Sequence, residues 1–299
     1  MSNSDVSSLN KLANNEQPRD RVRISDPQPV GHIVRPFLKW PGGKHRLLPR
    51  IRAVLPPGRR LIEPFTGSCA VSLGTDYPRY LLADANHDII NLYLHLKRER
   101  WSFIDYCRSF FQEAYNRAEV YYAFRALFNE TDDLRLKAVL FVYLNRHTYN
   151  GLCRYNAQGQ FNAPFGRYKR PYFPETEMQT FVAKAKQVTF LRSDFVKTMQ
   201  RARRGDVVYC DPPYTPLSET ANFTDYSAGG FGVEDHEMLA ELAEQLARRG
   251  IPVVISNHDT PFIRELYANA RIEALQVQRY ISQDILNRRK AAEVLAIFS

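Results

Sequence analysis

Asp211-Pro212-Pro213-Tyr214 follows the apolar run Val207-Val208-Tyr209-Cys210. Two consecutive prolines cannot continue a strand ladder, so they impose a rigid turn that aims the Pro212 carbonyl where Asp211 faces. An exocyclic amine on a flat ring carries two N–H donors. The Asp211 carboxylate and the Pro212 carbonyl supply two acceptors, and Tyr214 offers a face for the ring. Accepting both hydrogens moves electron density onto the nitrogen and makes it a nucleophile. The same four residues as a plain strand-ending turn would have no such use. Cys210 reads as a buried strand residue and not as a nucleophile. Further upstream, Trp40 and Lys44 flank Gly42 and Gly43, where the backbone can approach a ligand closely; a surface turn is the alternative.

These residues need elements to position them. Short apolar runs at 60–63, 80–84, 188–191, 206–210 and 251–256 read as parallel strands. Four end at residues capable of polar chemistry: Glu63, Asp84, Asp211, and Ser256 with Asn257. Ligands of open α/β sheets gather at that C-terminal edge. Phe65-x-Gly67 after the first run gives a tight turn, a weak signal by itself. Asp84, taken alone, reads as the cap of a helix starting at 85 or 86.

Ile89 to Tyr143 has helical spacing of large apolar residues and predicts a helical insertion. Between Leu134 and Pro174 stand seven Lys/Arg, no Asp or Glu, and nine Phe/Tyr. Cations for phosphates and rings for stacking suit a nucleic-acid surface; the rings as the insertion's own core are the lesser alternative, which leaves the basic bias unexplained. The expected division is a disordered extension over 1–35, a catalytic domain over 36–88 and 181–299, and an insertion over 89–180.

Composition narrows the classes. The 299 residues are 44% hydrophobic and 24% charged, which excludes disorder or collagen for the bulk of the chain. A net charge of +9 favours a polyanionic partner, but a solvated basic surface would have the same composition. Cys69, Cys107, Cys153 and Cys210 form no metal-ligand or disulfide pattern. Without a bilayer-length apolar run or a signal-like start, a cytoplasmic monomer with no metal and no membrane is expected.

Asp211 to Tyr214 resembles the DPPY motif of amino-methyltransferases acting on adenine N6 in DNA. Glu63-Pro64-Phe65-Thr66-Gly67-Ser68-Cys69 resembles their S-adenosylmethionine (SAM) motif, and Phe37 to Lys44 resembles the segment preceding it in the Dam family. With Leu82-Ala83-Asp84, Tyr149 to Tyr155, Pro164 to Tyr168 and Ile255 to Thr260, the matches cover essentially Pro36 to Phe298 in the family's order.

The resemblance implies a Rossmann-like SAM-dependent methyltransferase: a doubly wound α/β fold with a mixed seven-stranded sheet and an inserted helical target-recognition domain. It implies transfer of a methyl group from SAM to N6 of an adenine flipped out of double-stranded GATC. Asp211, Pro212 and Tyr214 would be catalytic. Trp40, Gly42, Gly43, Lys44, Glu63, Phe65, Asp84 and Asp211 would bind SAM, Lys44 at its carboxylate end and Asp84 at its ribose. Lys39, Leu152, Arg154 and Tyr168 would face the bases, with Tyr149 and Asn150 intruding into the duplex. Arg146, Lys169 and Arg170 read as phosphate contacts. Relatives acting on cytosine N4, an RNA base or a glutamine amide typically replace Asp211 with Ser, Thr or Asn. A catalytically silent GATC-binding protein is the other alternative. The sequence departs from the pattern at Cys69, where Gly is frequent, at Pro41, where Ala is common, and in the loop 282–288.

Overall fold

The computed structural model describes residues 35–214, 231–278 and 290–299, so the loop 282–288 and all but Arg35 of the expected extension lie outside the described residues. In chain order the regular elements are α1 (Leu48–Val54), β1 (Arg60–Glu63), α2 (Ala70–Leu73), β2 (Arg79–Asp84), α3 (His87–Glu99), α4 (Trp101–Ser109), α5 (Ala118–Glu130), α6 (Leu134–His147) and α7 (Glu175–Ala185). They continue with β3 (Val188–Arg192), α8 (Phe195–Met199), β4 (Asp206–Cys210), α9 (Val233–Arg248), β5 (Val253–His258), α10 (Pro261–Leu266), β6 (Arg271–Gln278) and β7 (Lys290–Phe298).

The strands form one seven-stranded sheet in the order β3-β2-β1-β4-β5-β7-β6. β1 to β5 are parallel neighbours, and β7 runs antiparallel between β5 and β6. Every residue of β4 and β5 is buried, as expected of strands covered on both faces. On one face Leu239, Leu242 and Leu246 of α9 and Met199 of α8 pack on Ile62, Val208 and Ile255. On the other, Phe37, Tyr93, Phe181 and Phe190 form an aromatic cluster with centroid separations of 4.9 to 6.0 Å. The chain winds outward from β1 in both directions, so the crevice lies between β1 and β4, where Glu63 and Asp211 emerge.

Side-chain caps start the key helices. Asn86 accepts the N–H groups of Asp88 and Ile89 at α3, and Asp133 those of Arg135 and Leu136 at α6. Asp84 is therefore not the cap of α3. Helices α4 to α6 build outward from α3, which itself packs on β2 and β3, and α7 returns to β3. α6 is buried on nearly every side because it lies between α3 and α5. This decides the fate of many rings in 134–174: Phe141, Tyr143 and Phe161 are core residues, packed on Phe128 and Phe124, whereas Tyr149 and Tyr172 are exposed. The expectation of an aromatic stacking face therefore fails for those three rings. Among the described residues no helix is long and apolar enough to cross a membrane.

Candidate active site

The turn after β4 brings four sequence-distant groups together. Asp211 Oδ1 lies 2.9 Å from Lys44 Nζ and accepts a hydrogen bond from Ser256 Oγ at 3.0 Å. Lys44 is buried, and it also donates to the Gly42 carbonyl at 2.7 Å. Gly42 has φ +72°, a conformation that Gly adopts without strain and that turns its carbonyl onto the ammonium. Lys44 Nζ stands 4.6 Å from the centre of the Tyr214 ring. Tyr214 donates to Glu293 Oε2 of β7 at 3.2 Å and meets the His258 ring edge-to-face at 4.6 Å. Ser256 in turn accepts from Tyr209 at 3.1 Å. Pro212 is buried beside Asp211. The carboxylate is thus held through one oxygen, and Oδ2 has no partner among the described residues.

The resemblance implies Lys44 at the cofactor's carboxylate end; in this structure its ammonium lies against Asp211. Glu293 was missed. It stands on an antiparallel strand late in the chain with no motif around it, and only sheet order β5-β7 brings it beside the turn.

The C-terminal ends of β1 and β2 carry the remaining acids, Glu63 and Asp84. Asp84 accepts the backbone N–H of Gly67 at 3.0 Å and of Asn86 at 2.9 Å. Burial pushes its carboxyl above the ordinary value, against those N–H groups. Glu63 is 2% exposed, and its Oε1 has no hydrogen-bond partner among the described residues. Burial, reinforced by the nearby Asp211 charge and opposed by Ser72, pushes its carboxyl up to about 8. The Trp40 indole lies over Gly67, where a Cβ would come within 2.8 Å of the ring nitrogen. Gly43 N–H donates back to the Trp40 carbonyl at 3.2 Å, which closes the turn. Phe65 stacks on Phe195 at 5.5 Å and meets Phe231 edge-to-face. Cys69 takes φ +62° at the start of α2, in the left-handed region that favours Gly. Pro41 is exposed in the turn.

A second group forms in the loop after α6. The Lys39 backbone exchanges two hydrogen bonds with the Asn145 amide, at 2.9 and 2.7 Å, and its ammonium sits 4.3 Å from the centre of the Tyr168 ring. The Tyr168 hydroxyl accepts the Asn150 N–H at 2.9 Å, and Asn150 itself has φ +50°. Tyr149 is 57% exposed beside it. Arg154 is exposed and donates to Asn162 Oδ1 at 2.7 Å, while Leu152 is half-buried. Lys39, Tyr168 and Asn150 are therefore one connected cluster, and the Leu152 N–H donates to the Tyr149 carbonyl beside it at 3.0 Å.

Arg146 does not fit the phosphate-contact reading. It is 8% exposed and donates to the Phe37 carbonyl, and burial lowers its pKa to about 10. Its guanidinium is spent on tying α6 to the segment that carries Lys39. Lys169 and Arg170 are exposed.

The family model for the D12 class of N6 adenine-specific DNA methyltransferases matches residues 40–281. The chain belongs to that class. A D12-class enzyme methylates adenine in DNA. Among curated proteins, this D12-class chain is 50% identical over 264 residues to the DNA adenine methylase of Escherichia coli K12, covering 88% of this chain and 95% of that protein. The DNA adenine methylase of Vibrio cholerae O1 Classical Ogawa 395 is 48% identical, covering 89% and 96%. That of Serratia marcescens is 49% identical, covering 88% and 98%.

Proposed function

We propose that this enzyme transfers the methyl group of S-adenosylmethionine to N6 of an adenine flipped out of duplex GATC, with residues 89–180 serving target recognition. The observation that carries the reading is the Asp211 carboxylate, pinned through Oδ1 by Lys44 and Ser256 and presented on a proline-stiffened turn beside Tyr214. Inside a stack N6 cannot meet a methyl donor in line, so extrusion is a geometric requirement.

The crevice fits SAM. Asp84 is an acceptor for ribose hydroxyls, Glu63 holds an unused buried acceptor oxygen, and the Trp40–Gly67 contact provides a flat wall that any side chain at 67 would break. Trp40, Gly42, Gly43, Lys44, Glu63, Phe65 and Asp84 would hold it. When bound, the cofactor supplies an electrophilic methyl on a positively charged sulfur.

Asp211 Oδ2 and the Pro212 carbonyl accept the two N6 hydrogens and hold the nitrogen in place. The Lys44 ammonium and the Ser256 hydroxyl keep Oδ1 from rotating away, so the acceptor that faces the amine is always the same atom. Tyr214, steadied by Glu293, packs against the base. After transfer the departing N6 proton passes to Asp211 Oδ2 and then to solvent. Positioning and the two acceptors are the chief sources of rate. On the DNA side, Arg154 and Lys39 donate to guanine edges, Leu152 touches the thymine methyl, and Tyr149 and Asn150 fill the space that the adenine leaves. Tyr168 orients Asn150 through the bond to its N–H.

The test is mass-spectrometric quantification of N6-methyladenine in two short duplexes incubated with protein and SAM, one with GATC and one with those bases scrambled. Methylation confined to GATC is the expected result. Equal methylation of both would remove the specificity assigned to Leu152 and Arg154, and methylation of neither would refute the proposal.

A further inference from the structure

The opposite edge of the sheet carries a charge cluster that the methyl-transfer chemistry does not use. Arg59 and Arg60 lead into β1, Arg201, Arg203 and Arg204 into β4, and Arg248 and Arg249 into β5, with Asp206 the sole acid in those stretches. The stretches are bound to one another. Arg59 donates to the Arg204 carbonyl at 2.5 Å, Arg60 to the Arg201 carbonyl at 3.1 Å, and Arg249 to the Ala202 carbonyl at 3.2 Å. Gly205 allows the close fit: at φ +89°, a Cβ there would come within 2.6 Å of the Arg59 guanidinium. Asp206 neutralises Arg60, and Glu244 lies 3.4 Å from Arg248. Arg59, Arg201, Arg203, Arg204 and Arg249 are exposed and have no carboxylate within ion-pair distance among the described residues.

Five unpaired guanidiniums on one ridge repel each other, a cost that a polyanion lying across them would remove. All are Arg and none is Lys, and the planar fork suits phosphate oxygens in pairs. Asp211 stands at the far end of β4, so the strand's five residues separate the two edges by roughly 17 Å. Duplex DNA has a persistence length of about 150 base pairs, so a duplex engaged at the Asp211 edge does not fold back onto the ridge.

We infer that this arginine ridge binds the phosphate backbone of a second segment of duplex DNA, independently of sequence, while the first segment is held at the methylation site. The inference rests on the enzyme's DNA substrate, since that polyanion surrounds it in use. Its consequence is transfer between segments: the enzyme can hold a new duplex before releasing the methylated one.

The experiment uses full-length protein saturated with an unlabelled short GATC duplex and titrated with a fluorescently labelled duplex lacking GATC, read by anisotropy. Wild type takes up the second duplex at low salt, with a steep salt dependence. In R201E/R203E/R204E, whose side chains are exposed and whose backbone hydrogen bonds survive, that uptake weakens at least tenfold. The salt slope of the second step falls by roughly 0.9 for each phosphate that is no longer neutralised. Methylation of a single short GATC duplex stays within about twofold, which separates failure of the ridge from failure of the methylation reading. An Arg154→Ala control leaves second-duplex uptake unchanged. Wild type that takes up no second duplex once saturated overturns the inference, as does a triple variant that binds it as well as wild type. Preference of the ridge for single-stranded RNA over duplex DNA would also overturn it.

Discussion

The two edges of one sheet treat charge in opposite ways. At the C-terminal edge Glu63, Asp84 and Asp211 are buried or half-buried, and Asp84 and Asp211 each have specific donors: the Gly67 and Asn86 N–H groups, or Lys44 and Ser256. At the N-terminal edge, one strand length away, most of the arginines are exposed and lack a carboxylate partner among the described residues. Charges of the first kind act singly, because each holds one atom in place and its loss strands a partner. Charges of the second kind act as a sum, so removing one costs little. The same distinction divides the basic stretch over 134–174. Arg146 is consumed inside the fold, Arg135 pairs with Glu99 at 2.7 Å, and Lys137 lies 3.9 Å from Asp88. A run of cations along the chain is therefore a poor guide to cations on the surface.

The strongest way to break this comparison is at Asp211. Asp211→Asn should keep the bonds to Lys44 and Ser256 yet lower methyl transfer by at least ~10³-fold, measured as single-turnover N6-methyladenine formation. Asp211→Ala should lose as much activity and also cost about 1–3 kcal/mol in denaturant unfolding, because buried Lys44 is left unpaired. Turnover near wild type in either variant would place Asp211 among the charges that act as a sum.

Glu63 is the next test. With its carboxyl raised from the ordinary 4.5 to about 8, the folded state holds a proton that the unfolded chain has released. Stability should accordingly fall as pH rises from about 4.5 through about 8, and then level off. Glu63→Gln should flatten that slope in unfolding curves taken across the range. An unchanged slope would mean that Glu63 ionises as a surface carboxylate does.

Arg146→Ala should destabilise the fold by about 2 kcal/mol through removal of the charged hydrogen bond to the Phe37 carbonyl. Its DNA affinity should keep the wild-type salt slope, the reverse of a phosphate contact. A single ridge substitution, Arg203→Ala, should change unfolding free energy by less than about 0.5 kcal/mol. The smallest effect is at Cys69→Gly. Relief of the left-handed backbone, about 1 kcal/mol, offsets the thiol burial that is given up, so the net change in thermal unfolding should be close to zero.

Much of the site was legible along the chain because strand and turn chemistry are local. Apolar runs that end in Glu63, Asp84 and Asp211 need only their own residues to be read as strands delivering acids to one edge. The Pro212-Pro213 pair marks the turn, and Cys69 takes a left-handed backbone that favours Gly. The insertion was legible as helical for the same reason, from the three- and four-residue spacing of its rings. Whether a given ring faced its neighbours or solvent was not, since that depends on what packs against α6.

Long-range placement followed other rules. The sequence by itself determined the five parallel strands, the acids at their C-terminal ends and the rigid acceptor turn, all set by interactions within a few residues. Only the tertiary structure decided that Lys44 meets Asp211 across 167 residues of chain, that Glu293 holds Tyr214, that Arg146 is buried, and that seven arginines from three separate stretches form one ridge. Sheet order and helix packing bring such residues together, and the free energy that fixes them comes from burying apolar faces whose residues are not the ones that carry the charge.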